Sequence, residues 1–156
     1  MTESTAATTL PPVVKTITVG RSVAAAFELF TDGMAAWWPL AQHSLGQADA
    51  KGCGIEGRVG GVLWEETNDG TRHVWGTVLA WEPPGRLVFT WHPGREESLA
   101  QQVELTFAAD GDGTRVELVH TGWEVLGPAA VATREGYDTG WDFVLGECYS
   151  GAAQAG

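Results

Sequence analysis

The chain has 156 residues and a formal net charge of −11, with 9 Lys plus Arg against 20 Asp plus Glu. That balance repels phosphates, so nucleic acid and anionic membrane surfaces are poor partners. With 44% hydrophobic and 19% charged residues, the expectation is one domain with a buried core, not a disordered chain.

The first stretch, Met1 to Pro12, is Thr/Ala-rich and lacks the basic n-region and apolar run of a signal peptide. No window approaches the ~20 apolar residues that a spanning helix needs, so no membrane insertion is expected. Two cysteines, Cys53 and Cys148, form no Cys-x-x-Cys pair and no disulfide framework, which implies free thiols and a cytoplasmic protein.

Residues 1–12 read as a flexible N-terminal tail ended by Pro11-Pro12, residues 13–150 as the single domain, and residues 151–156 as a flexible C-terminal tail. Val13 to Val19 is rich in β-branched residues and predicts a strand. Ser22 is a good N-cap, and Val23, Ala26, Phe27 and Phe30 repeat at helical spacing, predicting a short helix over 23–31. Met34 to Trp38 predicts one further helical turn, stopped by Pro39. Residues 39–50 show no period and read as a mobile loop.

A glycine-dense run follows: Gly52, Gly54, Gly57, Gly60 and Gly61. Gly52 to Gly57 matches Gly-x-Gly-x-x-Gly, but a dinucleotide site needs a strand before it and a helix after it. Here strand-like residues follow, so the glycines predict bends or close backbone approach. Val62–Glu66, Arg72–Trp81, Arg86–His92, Leu99–Phe107 and Thr114–His120 predict further strands. Asn68-Asp69-Gly70, Pro83-Pro84-Gly85 and Asp110 to Gly113 are the turns between them. Residues 122–136 predict a broken connection with a short helical piece at 129–134. Tyr137, Trp141, Val144, Leu145, Cys148 and Tyr149 then form an apolar stripe on a C-terminal helix.

Gly60-Gly61, the Asp69-Gly70 turn, Gly76-x-Val78, Pro83-Pro84-x-x-Leu87-Val88-Phe89-Thr90-Trp91, Gly113-Thr114-x-Val116-x-Leu118, His120 and Gly140-Trp141 occur in an order that resembles the START-like (SRPBCC, helix-grip) superfamily. Within it, the chain is most similar to the branch resembling the C-terminal domain of the activator of the heat-shock-protein-90 ATPase. The resemblance spans roughly residues 13–150. It implies an α+β helix-grip fold: a curved antiparallel sheet of about six or seven strands around a long C-terminal helix, with two short helices after the first strand. It also implies a cavity for a small apolar molecule. Shared motifs of this kind carry fold better than activity.

Alternation places Phe89, Trp91, Val103, Leu105, Phe107, Val116 and Leu118 on the inner sheet face, opposite Tyr137, Trp141, Val144 and Leu145 on the helix. The resemblance adds Trp37 and Trp38 as the segment that closes such a cavity. His120 shares the inner face, either as a ligand partner or acid–base group, or as a core histidine with a backbone partner. A filled core with no room for ligand is the competing reading of the whole set. The eight tryptophans against two tyrosines fit either a heavily aromatic core or a lined cavity.

Other candidates carry less. His43, His73 and His92 fall in loops or strand ends without metal spacing, so no metal and no cofactor is expected. Glu65, Glu66, Asp69, Glu82, Glu96 and Glu97 read as solvated carboxylates at turns or outer faces. Ser44 lacks a nucleophile elbow. Cys53 would be reactive only if exposed. Arg58 and Arg72 are read as surface charges, or as groups that meet an anionic ligand. Trp75, Leu79 and Trp81 share one face of their predicted strand, either turned inward or forming an exposed patch for a homodimer or protein partner. The primary functional expectation is non-catalytic binding of a small hydrophobic or amphipathic ligand. The alternatives are a polyketide cyclase/aromatase-like enzyme and a co-chaperone-like interaction module.

Overall fold

The computed structural model describes residues 10–40 and 42–155, apart from the Ala155 side chain. Its strands are β1 (Val13–Val19), β2 (Ala50–Ile55), β3 (Val62–Thr67), β4 (Arg72–Glu82), β5 (Arg86–Trp91), β6 (Gln101–Asp110) and β7 (Gly113–Thr121). They form one antiparallel seven-stranded sheet in the order β1-β7-β6-β5-β4-β3-β2. The short helices α1 (Val23–Thr31) and α2 (Met34–Trp37) lie in the connection between the two edge strands. This is the helix-grip arrangement, with the C-terminal helix packed along the sheet.

Strand β2 was not expected. Its glycines hid it: Ala50–Ile55 has almost no strand-forming side chains. It pairs with β3 in spite of that, because glycine makes room for a neighbour. A Cβ at Gly54 would lie 2.8 Å from the Trp64 indole, so that ring lies directly over the bare backbone.

The C-terminal helix also exceeds its expected bounds. It begins at Ala130, as α3 (Ala130–Phe143), passes through a π-helical stretch at Val144–Tyr149, and ends as α4 (Ser150–Ala155). The piece expected at 129–134 is therefore its first turn. The residues read as a tail from 151 are helical because they have partners. Ala153 is buried, and the Arg21 guanidinium donates to the carbonyls of Ala153 and Ala152 at 2.8 and 3.3 Å. At the other end Leu10 packs on the core, and Arg134 donates to the carbonyls of Pro11 and Pro12 at 2.7 and 3.1 Å. The remainder of the N-terminal stretch, and Gly156, lie outside the described residues.

Polar contacts hold the C-terminal helix to the sheet and to α1. The Lys15 ammonium on β1 reaches Asp138 and Asp142 at 2.8 and 2.9 Å, carboxylates one turn apart on α3. The Tyr149 hydroxyl, fully buried, donates to the Ala26 carbonyl at 2.7 Å and ties the helix to α1. The core between them is strongly aromatic. Phe27, Phe30, Phe107, Trp37 and Tyr149 meet edge-to-face or tilted at centroid distances of 5.1 to 6.1 Å, a geometry that aromatic quadrupoles favour.

Strand β4 breaks the simple alternation twice. Its register shifts against β3 between Leu63 and Trp64, and against β5 between Val78 and Ala80. Trp75 is consequently buried at 1% exposure, while Leu79 stands out at 48% and Trp81 packs its edge on Phe27 at 5.2 Å. The three side chains do not form one exposed patch, because each bulge reverses the facing of the residues beyond it. At Gly76 the strands approach so closely that a Cβ would lie 1.7 Å from the Thr90 carbonyl oxygen. Only glycine fits there.

Candidate functional site

A cavity of about 410 Å³ opens between the loop at 42–45, the turn after β5 and the C-terminal helix. Its floor and walls are Trp38, Trp75, Trp91, Trp141 and Val144, all buried. Its mouth is formed by Gln42, His43, Leu45, Pro93, Thr133, Gly136 and Tyr137, more exposed groups, with Ser44 and Gly140 beside them. Of the residues placed in a pocket from sequence, the fold brings Trp38, Trp91, Tyr137, Trp141 and Val144 to this cavity.

The others pack elsewhere. Val103, Leu105, Val116, Leu118 and Leu145 have at most 1% exposure and fill the layer beneath. Phe89 leans on Trp91 at 5.7 Å, Phe107 packs on Phe27, and Trp37 packs on Phe30 and Tyr149. These side chains are covered by their neighbours, whereas the cavity lies where the C-terminal helix faces Trp75 and Trp91.

His120 also lies behind the wall. Its Nδ1 accepts the Trp141 indole N–H at 3.0 Å, so Nε2 carries the proton and faces Gln101 Oε1 at 3.3 Å. Gln101 in turn donates to the Leu99 carbonyl at 2.8 Å. Trp123 stacks on the imidazole at 4.0 Å. Burial pushes the His120 pKa down to about 3. The ring is a neutral core histidine, with side-chain rather than backbone partners, that orients Trp141.

Glu65 is the residue that sequence reasoning misplaced. It is buried at 0% exposure, not solvated. Its Oε1 accepts the Leu45 backbone N–H at 2.7 Å and the Trp75 indole N–H at 2.7 Å, and its Oε2 accepts the Gly46 N–H at 2.9 Å. One carboxylate thus fixes both the loop at the cavity mouth and a tryptophan in the wall. Alternation within β3 was the available signal: Leu63, Glu65 and Thr67 share a buried face, while Val62, Trp64 and Glu66 are half-buried.

Cys53 lies near this carboxylate. Burial, and secondarily the Glu65 charge, push its thiol up to about 12. It is 4% exposed, so the thiol is shielded and stays protonated at neutral pH. A thiol reagent such as Ellman's is expected to label Cys148, which is partly exposed, well before Cys53 in the folded protein. Equal labelling rates would contradict this burial.

Among the described residues no cluster of three His, Cys, Asp or Glu side chains is placed to hold a metal ion. No helix there is long and apolar enough to cross a membrane.

Residues 21–145 match the family model of the Activator of Hsp90 ATPase homolog 1-like proteins. The chain belongs to this family. Among solved structures, it is 35% identical to an anthrahydroquino-γ-pyrone synthase, Txn09, over 83% of this chain and 88% of that one, with a TM-score of 0.58. It is 27% identical to CalC, a self-sacrificing resistance protein from Micromonospora echinospora, over 92% and 94% of the two chains, with a TM-score of 0.67. A Chromobacterium violaceum protein, 18% identical over 93% and 99% of the two chains with a TM-score of 0.65, shares the fold. A search of curated protein sequences returned no match.

Proposed function

We propose that this family member binds a flat, multi-ring aromatic molecule of the polyketide kind in the cavity between the C-terminal helix and the sheet. The observation that carries this reading is the state of the four wall indoles. Every N–H is already spent on a protein acceptor: Trp38 on the His43 carbonyl, Trp75 on Glu65, Trp91 on the Tyr137 hydroxyl and Trp141 on His120. The walls therefore offer ring faces and edges, not donors. Flat aromatic ligands gain from such surfaces by area burial and by offset or edge stacking. The volume falls in the range of small-molecule sites. The ring system named for the synthase at 35% identity supports the same ligand class.

Titration with an anthraquinone probe, followed by tryptophan emission, tests this. Saturable quenching at a one-to-one ratio is expected. Gly136 supplies the control: it lines the mouth, and a Cβ there would meet nothing within 4 Å. Gly136→Leu is expected to weaken binding at least roughly tenfold by filling the mouth, about 1.4 kcal/mol. The same change should not destabilise the helix, because glycine is disfavoured there by up to about 1 kcal/mol. Absent quenching, or undiminished binding by the variant, would refute the reading.

A second reading is that the cavity also closes a ring on its ligand. His43 favours it. Its imidazole stands over Gly140, whose added Cβ would lie 3.7 Å from the ring, and burial lowers its pKa. It is a neutral base at pH 7, lining the same cavity as the Tyr137 hydroxyl. A 2-hydroxyaryl 1,3-diketone is a suitable substrate: the hydroxyl adds to the ketone, and water then leaves. If this reading is right, His43→Ala lowers turnover by a larger factor than it lowers affinity. No turnover by the wild-type protein leaves binding as the function.

A further inference from the structure

Beside the mouth of the cavity, in the neighbouring surface depression, stands a cation with no carboxylate partner among the described residues. The chain has 9 Lys and Arg residues. Five of them reach a carboxylate within 4.0 Å, and Arg21 and Arg134 are held by backbone carbonyls. Arg115 projects from the outer face of β7. Arg95 has no carboxylate within 4 Å among the described residues, although Glu96 and Glu97 follow it in sequence.

Its backbone is held from both sides, while its side chain is exposed. The Arg95 N–H donates to the His92 carbonyl at 2.9 Å. The Arg95 carbonyl accepts from Nδ1 of His92, a buried side chain, at 3.1 Å. The turn is thereby pinned, and the guanidinium Nη2 reaches across to Thr133 Oγ1 at 3.5 Å. Thr133 lines the cavity, and Tyr137 lines it one turn further along the same helix face. The Tyr137 hydroxyl accepts the Trp91 N–H at 3.0 Å, so its own proton remains to be donated. Burial pushes the Tyr137 pKa up, and the Trp91 hydrogen bond and, after it, the Arg95 charge oppose that push.

We infer that the ligand carries an anionic oxygen substituent, a carboxylate or an ionised phenol or enol, received at the mouth between the Arg95 guanidinium and the Tyr137 O–H. This rests on the cavity reading above and specifies its ligand. The rings lie among the tryptophans, and the charged edge points out to the arginine. A charge-assisted pair of donors of this kind is strong enough to select. The chain's net charge of −11 works against any anion, so the preference depends on this local group.

The test compares anthraquinone-2-carboxylate with 2-(hydroxymethyl)anthraquinone on the whole protein at neutral pH, by tryptophan quenching. The wild-type protein is expected to prefer the carboxylate by roughly tenfold, the size of one hydrogen bond to a charged group. R95Q should bring the ratio of the two affinities toward one, and R95K should restore much of it. Y137F should reduce the ratio by a smaller factor. Equal affinities in the wild-type protein, or a ratio that survives R95Q, overturn the inference and leave the cavity reading standing. Silence from both probes overturns the cavity reading and the inference with it.

Discussion

Glu65→Ala is expected to lower the stability of the folded protein by about 3–5 kcal/mol, the cost of the donors it leaves unpaired less what relaxation recovers. The physical ground is the donors left behind. Removing the carboxylate strands the Leu45 and Gly46 amides and the Trp75 indole N–H, all within 2.9 Å of it. Each buried unsatisfied donor costs about 1–3 kcal/mol, and loop relaxation toward water recovers part of that for the two amides. Glu65→Gln keeps the shape and one acceptor oxygen but turns an NH2 toward a donor, so roughly half that loss is expected.

Denaturant unfolding gives the magnitude. Hydrogen exchange gives the location: protection should fall first at Leu45 and Gly46. Because Leu45 forms part of the cavity mouth, aromatic-probe affinity should drop in parallel with loop protection. A loss below about 1 kcal/mol, the size of a surface pair, would mean that Glu65 is not the anchor of this loop.

The contrast between Glu65 and Trp141 shows what was legible in the sequence. Helical spacing placed Tyr137, Trp141 and Val144 on one face, and that face does meet the cavity. Period and apolar character are local properties, and they survive folding. The family resemblance supplied the sheet and helix arrangement for the same reason, since it rests on turns and alternation. The site itself depends on non-local facts. Whether Phe107 or Trp91 borders empty space is decided by what covers each: Phe27 and Phe30 of α1 pack on Phe107, while Trp91 faces the cavity. Two bulges in β4 decide that Trp75 is a wall residue, and no two-residue period reveals them. Glu65 and His120 are polar groups whose partners lie 10 to 21 residues away in the chain. Composition gives such residues a solvated or catalytic appearance, and only the fold shows that they are braces.

His120 makes that brace measurable through pH. Its folded-state pKa is lowered to about 3 by burial, against about 6.5 in the unfolded chain. The folded protein therefore keeps the ring neutral where the unfolded chain takes up a proton. Stability from this group is fully present above about pH 6.5 and is lost as pH falls toward 3, with a slope of at most about 1.4 kcal/mol per unit. His43, also lowered by burial, adds in the same direction, but weakly because it is exposed. The carboxylates with lowered pKa, Asp69 and Asp138, lose their contributions only at more acid pH, near and below their ordinary value of about 4. The interval from roughly pH 6.5 to 4.5 thus isolates the histidines.

Urea unfolding across that interval should show wild-type stability falling steadily with acid. His120→Gln should be less stable at pH 7 by about 2–4 kcal/mol, because the Trp141 N–H and Gln101 lose their shared partner. The same variant should show a clearly flatter dependence on pH. If the variant and the wild type fall in parallel, the imidazole is not being held neutral by the fold. In that case Trp141 is oriented by packing alone, without the hydrogen bond from behind.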